Sequence, residues 1–185
     1  HPDPELLNEI LGSGTGKIAR KIEGSIRYLG AFPKKYAYHV ELDQRKIILK
    51  THIHFKNIQT LEKDAMIRKF ESAENIWINS APTSLSLEFQ FEVSERKNSD
   101  FSVFLGTRDD IRGPYDTVWS TTWDSSVVAH EMGHVLGIDD EYDNNLWGLD
   151  RSGCRKKNPN LMCNNYENES LDIYHYYLIL RRIYC

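Results

Sequence analysis

The run His130-Glu131-Met132-Gly133-His134-Val135-Leu136-Gly137-Ile138-Asp139-Asp140 constrains this chain more than any other feature. The apolar positions around it, Val127, Val128, Val135 and Leu136, predict a helix that starts near Asp124. On a helix, residues four apart are neighbours on one face, so the His130 and His134 imidazoles converge. Two imidazoles one turn apart suit a single Zn²⁺, bound at about 2.0–2.1 Å. Glu131 projects too far round to be a comfortable third ligand. It is placed instead to take a proton from a water molecule that the ion activates. Gly137 can adopt φ > 0, stop the helix and turn the chain back beneath the metal. That turn delivers an acid as third ligand: Asp140, with Asp139 and Glu141 as immediate rivals. The same acidic run lacks the glycine and the distal glutamate of an EF-hand, which argues against calcium. An ordinary surface helix with an accidental His pair is the plainer alternative, and the glycine and the acid together weigh against it.

Upstream, residues 45–55 are β-branched and alternate, predicting a strand with His52 and His54 on one face. Two such histidines can bind a metal, although an exposed strand face is their ordinary home. Residues 60–80 carry Leu61, Ala65, Ile67, Phe70, Ala73, Ile76 and Trp77 near helical spacing, with Thr60 as the expected cap. Residues 84–93 alternate strictly, with Leu85, Leu87, Phe89, Phe91 and Val93 on one side. Further strands are expected at 101–106 and 118–123, and a terminal helix capped by Ser170. Residues 1–36 read as a polar lead-in. Within it, Gly12–Lys17 only superficially resembles a phosphate loop, because Leu11 stands where the first Walker glycine belongs. The element order predicts an α+β fold around a twisted mixed sheet.

At 185 residues, 40% hydrophobic and 27% charged, the chain suits one compact domain with a substantial core. A net charge of −4 gives no reason to expect a nucleic-acid or membrane-surface partner. No apolar run approaches the ~18 residues needed to span a bilayer. The three cysteines are Cys154, Cys163 and Cys185. Cys154 and Cys163 flank a short polar loop and form the candidate disulfide, which would imply an oxidising destination. Three free thiols are the alternative. The chain begins with His1 rather than Met, so we expect a trimmed chain or a piece released from a larger precursor.

The run from His130 to Asp140 resembles the extended HExxHxxGxxH/D signature of the metzincin metallopeptidases, in the Asp form of snapalysin-type members. Those families carry a methionine turn downstream beneath the metal, and Met162, 28 residues after His134, matches it. The strand, long helix and further strands before the active-site helix also resemble that fold. The resemblance implies a single metallopeptidase domain over 1–185. It has a lead-in (1–36), a sheet-bearing N-terminal subdomain (37–137) and a smaller C-terminal subdomain (138–185) with the Met-turn and terminal helix. It implies one catalytic zinc held by His130, His134 and Asp140, with Glu131 as catalytic base and Met162 as a hydrophobic floor. The third ligand departs from the commoner histidine. Metzincins often place a tyrosine two residues past the methionine. Asn164 stands there, so Tyr166 and Tyr142 become the candidates for an oxyanion or substrate contact. His175 is expected to be a core or interface residue.

The expected activity is therefore zinc-dependent hydrolysis of peptide bonds in protein or peptide substrates. It would belong to a protease secreted, or delivered as a toxin, outside the producing cell. Two other readings remain. A gluzincin-type protease would take its third ligand from a later helix, with Glu167 or Glu169 as candidates, but that arrangement has no need of Gly137 and Asp140. A metal-stabilised binding module would have no use for Glu131 beside the ligands.

Overall fold

The computed structural model describes residues 18–28, 32–43, 46–57, 59–83, 86–106, 118–141, 143–145, 148–150, 160–163 and 170–184. The expected α+β class holds: among the described residues a six-stranded mixed sheet carries three helices. Strands β1 (Ile18–Tyr28), β2 (Phe32–Asp43) and β3 (Lys46–Phe55) run antiparallel in sequence order. Helix α1 (Thr60–Asn79) crosses over to β4 (Ser86–Val93), which lies parallel to β3 from Lys46 to Ile53. The chain then shifts, and β5 (Phe101–Gly106) takes over the rest of the same edge, Ile53 to Phe55. Strand β6 (Val118–Ser120) pairs parallel with β5 and ends the sheet. Helix α2 (Ser125–Val135), a short ladder of β7 (Asp143–Asn145) with β8 (Gly148–Asp150), and helix α3 (Ile173–Tyr184) complete the order.

Residues 18–28 and 32–36 correct the reading of residues 1–36 as a lead-in, because they are strands of the sheet. The cause is visible in β1. Lys21, Glu23, Gly24 and Ser25 are exposed and only Ile22 is buried, so an edge strand with a polar outer face gives a weak alternating signal. Gly12–Lys17 lies outside the described residues.

Alternation along β3 buries Ile47, Leu49, Thr51, Ile53 and Phe55 and turns Lys50, His52 and His54 to the outer face. Leu87, Phe89 and Phe91 extend the inner face along β4. Onto that face α1 lays Met66, Phe70, Ala73 and Trp77, spaced at helical intervals. Its cap is Gln59, one residue before the expected Thr60, and the Glu62 carboxylate accepts the Gln59 N–H at 2.9 Å. Trp77 Nε1–H donates to Ala129 O at 3.0 Å, joining α1 to α2 in the middle of the core. Truncating that indole to alanine would open the seam at about 3–5 kcal/mol. Helix α3 docks through Tyr38, whose hydroxyl donates to Ile179 O at 3.0 Å, and through Tyr176, whose hydroxyl donates to Trp77 O at 2.5 Å. Asp172 rather than Ser170 caps it, accepting the Tyr174 N–H at 2.9 Å. Among the described residues, no helix is long and apolar enough to cross a membrane.

Candidate metal centre

Helix α2 is buried on nearly every side, from Val127 through Val135, with Glu131 only half-buried. Such a helix lies in the centre of the fold, so its two histidines are carried into the interior. His130 and His134 are 3% and 2% exposed, too little for water to solvate them. Their rings meet edge to face with centroids 4.6 Å apart, and the two Nε2 atoms are 3.1 Å apart.

The helix stops where Gly137 was expected to stop it. Gly137 has φ 86°, the left-handed conformation that costs glycine little. Ile138 N–H donates to Gly133 O at 2.9 Å and Gly137 N–H to His134 O at 2.8 Å, the paired bonds of a Schellman turn. Arg182, from α3, clamps this turn with Nη2 to Gly137 O at 2.7 Å and Nη1 to Leu136 O at 3.3 Å. Its guanidinium also lies 4.8 Å over the Tyr36 ring.

The redirected chain brings Asp140 beneath the histidines. Asp140 Oδ1 lies 3.1 Å from His130 Nε2 and 3.2 Å from His134 Nε2, and its side chain is 2% exposed. The rivals are turned elsewhere. Asp139 is exposed and accepts the Asp140 N–H at 3.0 Å. Glu141 accepts from Asn160 Nδ2 at 2.7 Å and from His175 Nε2 at 2.9 Å. His175 is fully buried, as expected of a core histidine. Asp172 N–H donates to its Nδ1, so the ring proton lies on Nε2 and points to Glu141. That hydrogen bond, opposed by burial and helped by Asn160, holds the Glu141 carboxyl below the usual glutamate range.

Two carbonyls fix a proton position on each of His130 and His134. His130 Nδ1 faces Leu161 O at 3.0 Å and His134 Nδ1 faces Ile138 O at 2.8 Å. A carbonyl only accepts, so both Nδ1 atoms carry hydrogen, and in the neutral form each ring then aims an Nε2 lone pair inward. Asp140 Oδ1, buried, makes no hydrogen bond of sound geometry. Three converging lone pairs with no proton between them repel one another unless a cation joins them. A tetrahedral zinc site with bonds of about 2.0–2.1 Å sets its ligand atoms about 3.3–3.4 Å apart. The separations here, 3.1–3.2 Å, fit that demand closely.

Met162 lies against Gly133 of α2, between the two histidines. It is fully buried in a turn closed by Cys163 N–H to Asn160 O at 3.0 Å and Met162 N–H to Asn160 Oδ1 at 2.9 Å. The same turn supplies the Leu161 carbonyl to His130, and Glu141 N–H donates to Met162 O at 3.2 Å. Glu131 sits next to His130 on α2 with its Oε2 shielded from solvent. Cys163 is disulfide-bonded, and its partner lies outside the described residues. Tyr142, Tyr166, Cys154, Glu167 and Glu169 lie outside them too. Sequence reasoning did not find Arg182, the Leu161 and Ile138 carbonyls, or the Glu141–His175 pair. All but the Ile138 carbonyl, four residues past His134, act through contacts distant in the chain, which no local spacing announces.

Compared with models of known protein families, with curated proteins and with solved structures, the chain matches none of them.

Proposed function

We propose that this chain is a zinc-dependent endopeptidase of the metzincin type, with a zincin-like arrangement of sheet, active-site helix and Met-turn. One observation carries the reading: His130 Nε2, His134 Nε2 and Asp140 Oδ1 form a buried triangle 3.1–3.2 Å on a side. Zinc held there supplies Lewis acidity toward a peptide carbonyl and toward water. The Leu161 and Ile138 carbonyls hold the two imidazoles in the ligating tautomer, and Asp140 contributes the neutralising charge. Glu131 takes the proton from the attacking water and returns it to the leaving amine. Strand β5 is flanked by β3 and β6, so among the described residues the sheet edge nearest α2 along the chain is β6. An extended substrate adds there as a further strand, its backbone groups pairing with Val118–Ser120.

The triangle already has an acid at its third corner, which favours this reading over one with a later glutamate ligand. A disulfide at Cys163 suits an oxidising compartment, which supports a protease that acts outside the producing cell. The test joins metal analysis to cleavage of an unfolded protein substrate by the parent and by Glu131→Gln. The parent should hold one tight zinc and cleave. Glu131→Gln should keep the zinc and lose about 10²–10⁴ in rate. A zinc-loaded parent that cleaves no peptide library would favour the metal-stabilised binding module.

A further inference from the structure

On the other face of the sheet a second group of histidines and carboxylates is assembled by strand register. His39 on β2 pairs with Lys50 on β3, so His52, two residues on, is its diagonal neighbour on the same face. Lys21 on β1 stands opposite His39, and Glu92 on β4 opposite His52. Asp100 enters where β3 exchanges β4 for β5 as its partner. Asp100 N–H donates to His52 O at 2.8 Å and His52 N–H donates to Asp100 Oδ2 at 3.0 Å. This reciprocal pair fixes the carboxylate before any side chain binds it, and the Asp100 side chain is 3% exposed. His39 Nε2 then lies 3.0 Å from Oδ1, and His52 Nδ1 lies 3.2 Å from Oδ2. The two rings meet edge to face with centroids 5.4 Å apart. His39, His52 and Glu92 line a cavity of about 440 Å³ that opens on this face.

We propose that His39, His52 and Asp100 form a second metal site, taking one borderline divalent ion of the Zn²⁺ class. Two imidazoles and a carboxylate are the donor set that such ions prefer. Their ligand atoms lie close enough together to share one ion, in a more exposed set than the buried triangle. Glu92 Oε2, 3.9 Å from His52 Nε2, brings a further carboxylate to the rim. The site is weaker than the first for a second reason. Lys21 Nζ lies 3.3 Å from Asp100 Oδ1 and so stands in for the cation. Lys21 also reaches Glu23 at 3.4 Å, which gives the ammonium somewhere to stay when an ion displaces it. A bound ion would tie β2, β3 and the start of β5 together across the outer face, a structural staple remote in chemistry from the buried centre.

The two sites separate in one zinc titration of the full chain, followed by equilibrium dialysis. The parent should bind a second, weaker equivalent beyond the tight one that dialysis retains. His39→Gln and His52→Gln, both on the solvent face, should each lose the weak equivalent and keep the tight one. Lys21→Ala should bind the weak equivalent severalfold more tightly, because the competing ammonium is gone. A parent with no zinc dependent on His39 and His52 would overturn the proposal, and so would Lys21→Ala binding no tighter than the parent. Absence of the tight equivalent alone would instead count against the buried centre, leaving the outer site to be judged on its own variants.

Discussion

Met162 lies directly beneath Gly133, so close that a Cβ at residue 133 would stand 2.5 Å from Met162 Sδ and 2.9 Å from its Cε. Gly133 is on α2 between His130 and His134, and the thioether fills the space a side chain would need. Met162 is fully buried, with Trp77 Cζ2 another 3.3 Å from the same point, so the sulfur has little room to retreat. Gly133→Ala should therefore destabilise by about 1–3 kcal/mol through overpacking. Thermal melts check this, and Met162→Ala in the same chain should recover part of the loss. Additive losses in the double variant would mean that the two residues do not share this space.

Gly137 and Arg182 set the turn that presents Asp140. A methyl at residue 137 would keep the left-handed backbone strained, at roughly 1–2 kcal/mol. It would also stand 3.0 Å from the Tyr36 ring and from Arg182 Nη1. Gly137→Ala should lower the melting temperature and weaken zinc binding together, because the turn that carries Asp140 must shift. Arg182→Ala removes two hydrogen bonds to the turn but adds no strain, so it should weaken binding less. Equal effects in a zinc competition assay would mean that φ at Gly137 does not govern the site.

Helix α2 and the convergence of His130, His134 and Asp140 were legible because the relevant contacts are local. A spacing of four residues decides which imidazoles meet, and one glycine decides where the chain turns back. The hairpin of β1 and β2 was not legible, because an edge strand buries one face weakly and its pattern is mostly polar. The pairing of His39 with His52 and Asp100 was hidden for a different reason. It depends on strand register and on the point where β4 gives way to β5, neither of which has a short sequence signature. Along the strand the neighbour of His52 on its face is His54, whereas the sheet sets His52 beside His39 from β2. His54 instead faces Ser94 O at 3.3 Å through Nδ1.

Among the three consecutive acids, only Asp140 should matter to metal affinity. Asp140→Asn keeps an oxygen in place but removes the charge that balances the ion, so zinc should be lost on dialysis. Asp139→Asn should be nearly silent, since an amide oxygen accepts the Asp140 N–H as well. Glu141→Gln should keep zinc but destabilise by about 1–2 kcal/mol, because one amide oxygen replaces two acceptors, those for Asn160 and His175. Metal content and melting temperature, measured on all three variants, separate these outcomes. Loss of zinc from Asp139→Asn would mean the turn presents the other acid.

Glu74 offers a pH-dependent test that needs no metal. It lies on α1 and accepts the Phe91 N–H at 2.6 Å. Burial pushes its carboxyl up to about 7, against the Phe91 N–H and with the help of Glu71, Glu88 and Glu92 nearby. A carboxyl raised in the folded state stays protonated there while the unfolded chain has already lost its proton. Below the ordinary glutamate value near 4.5 both states are protonated and Glu74 costs nothing. Between that value and about 7 the folded state binds the extra proton, so stability falls as pH rises, and above about 7 the loss is complete. Glu74→Gln keeps an oxygen for the Phe91 N–H and removes the titration. Because Glu74 is only half-buried, screening by solvent limits the gain to about 1 kcal/mol at pH 8. In a chain of this length that is a rise of roughly 2–4 °C in melting temperature. At pH 4 the variant and the parent should melt together. A gain of equal size at both values would assign the effect to packing or helix propensity rather than to the buried charge.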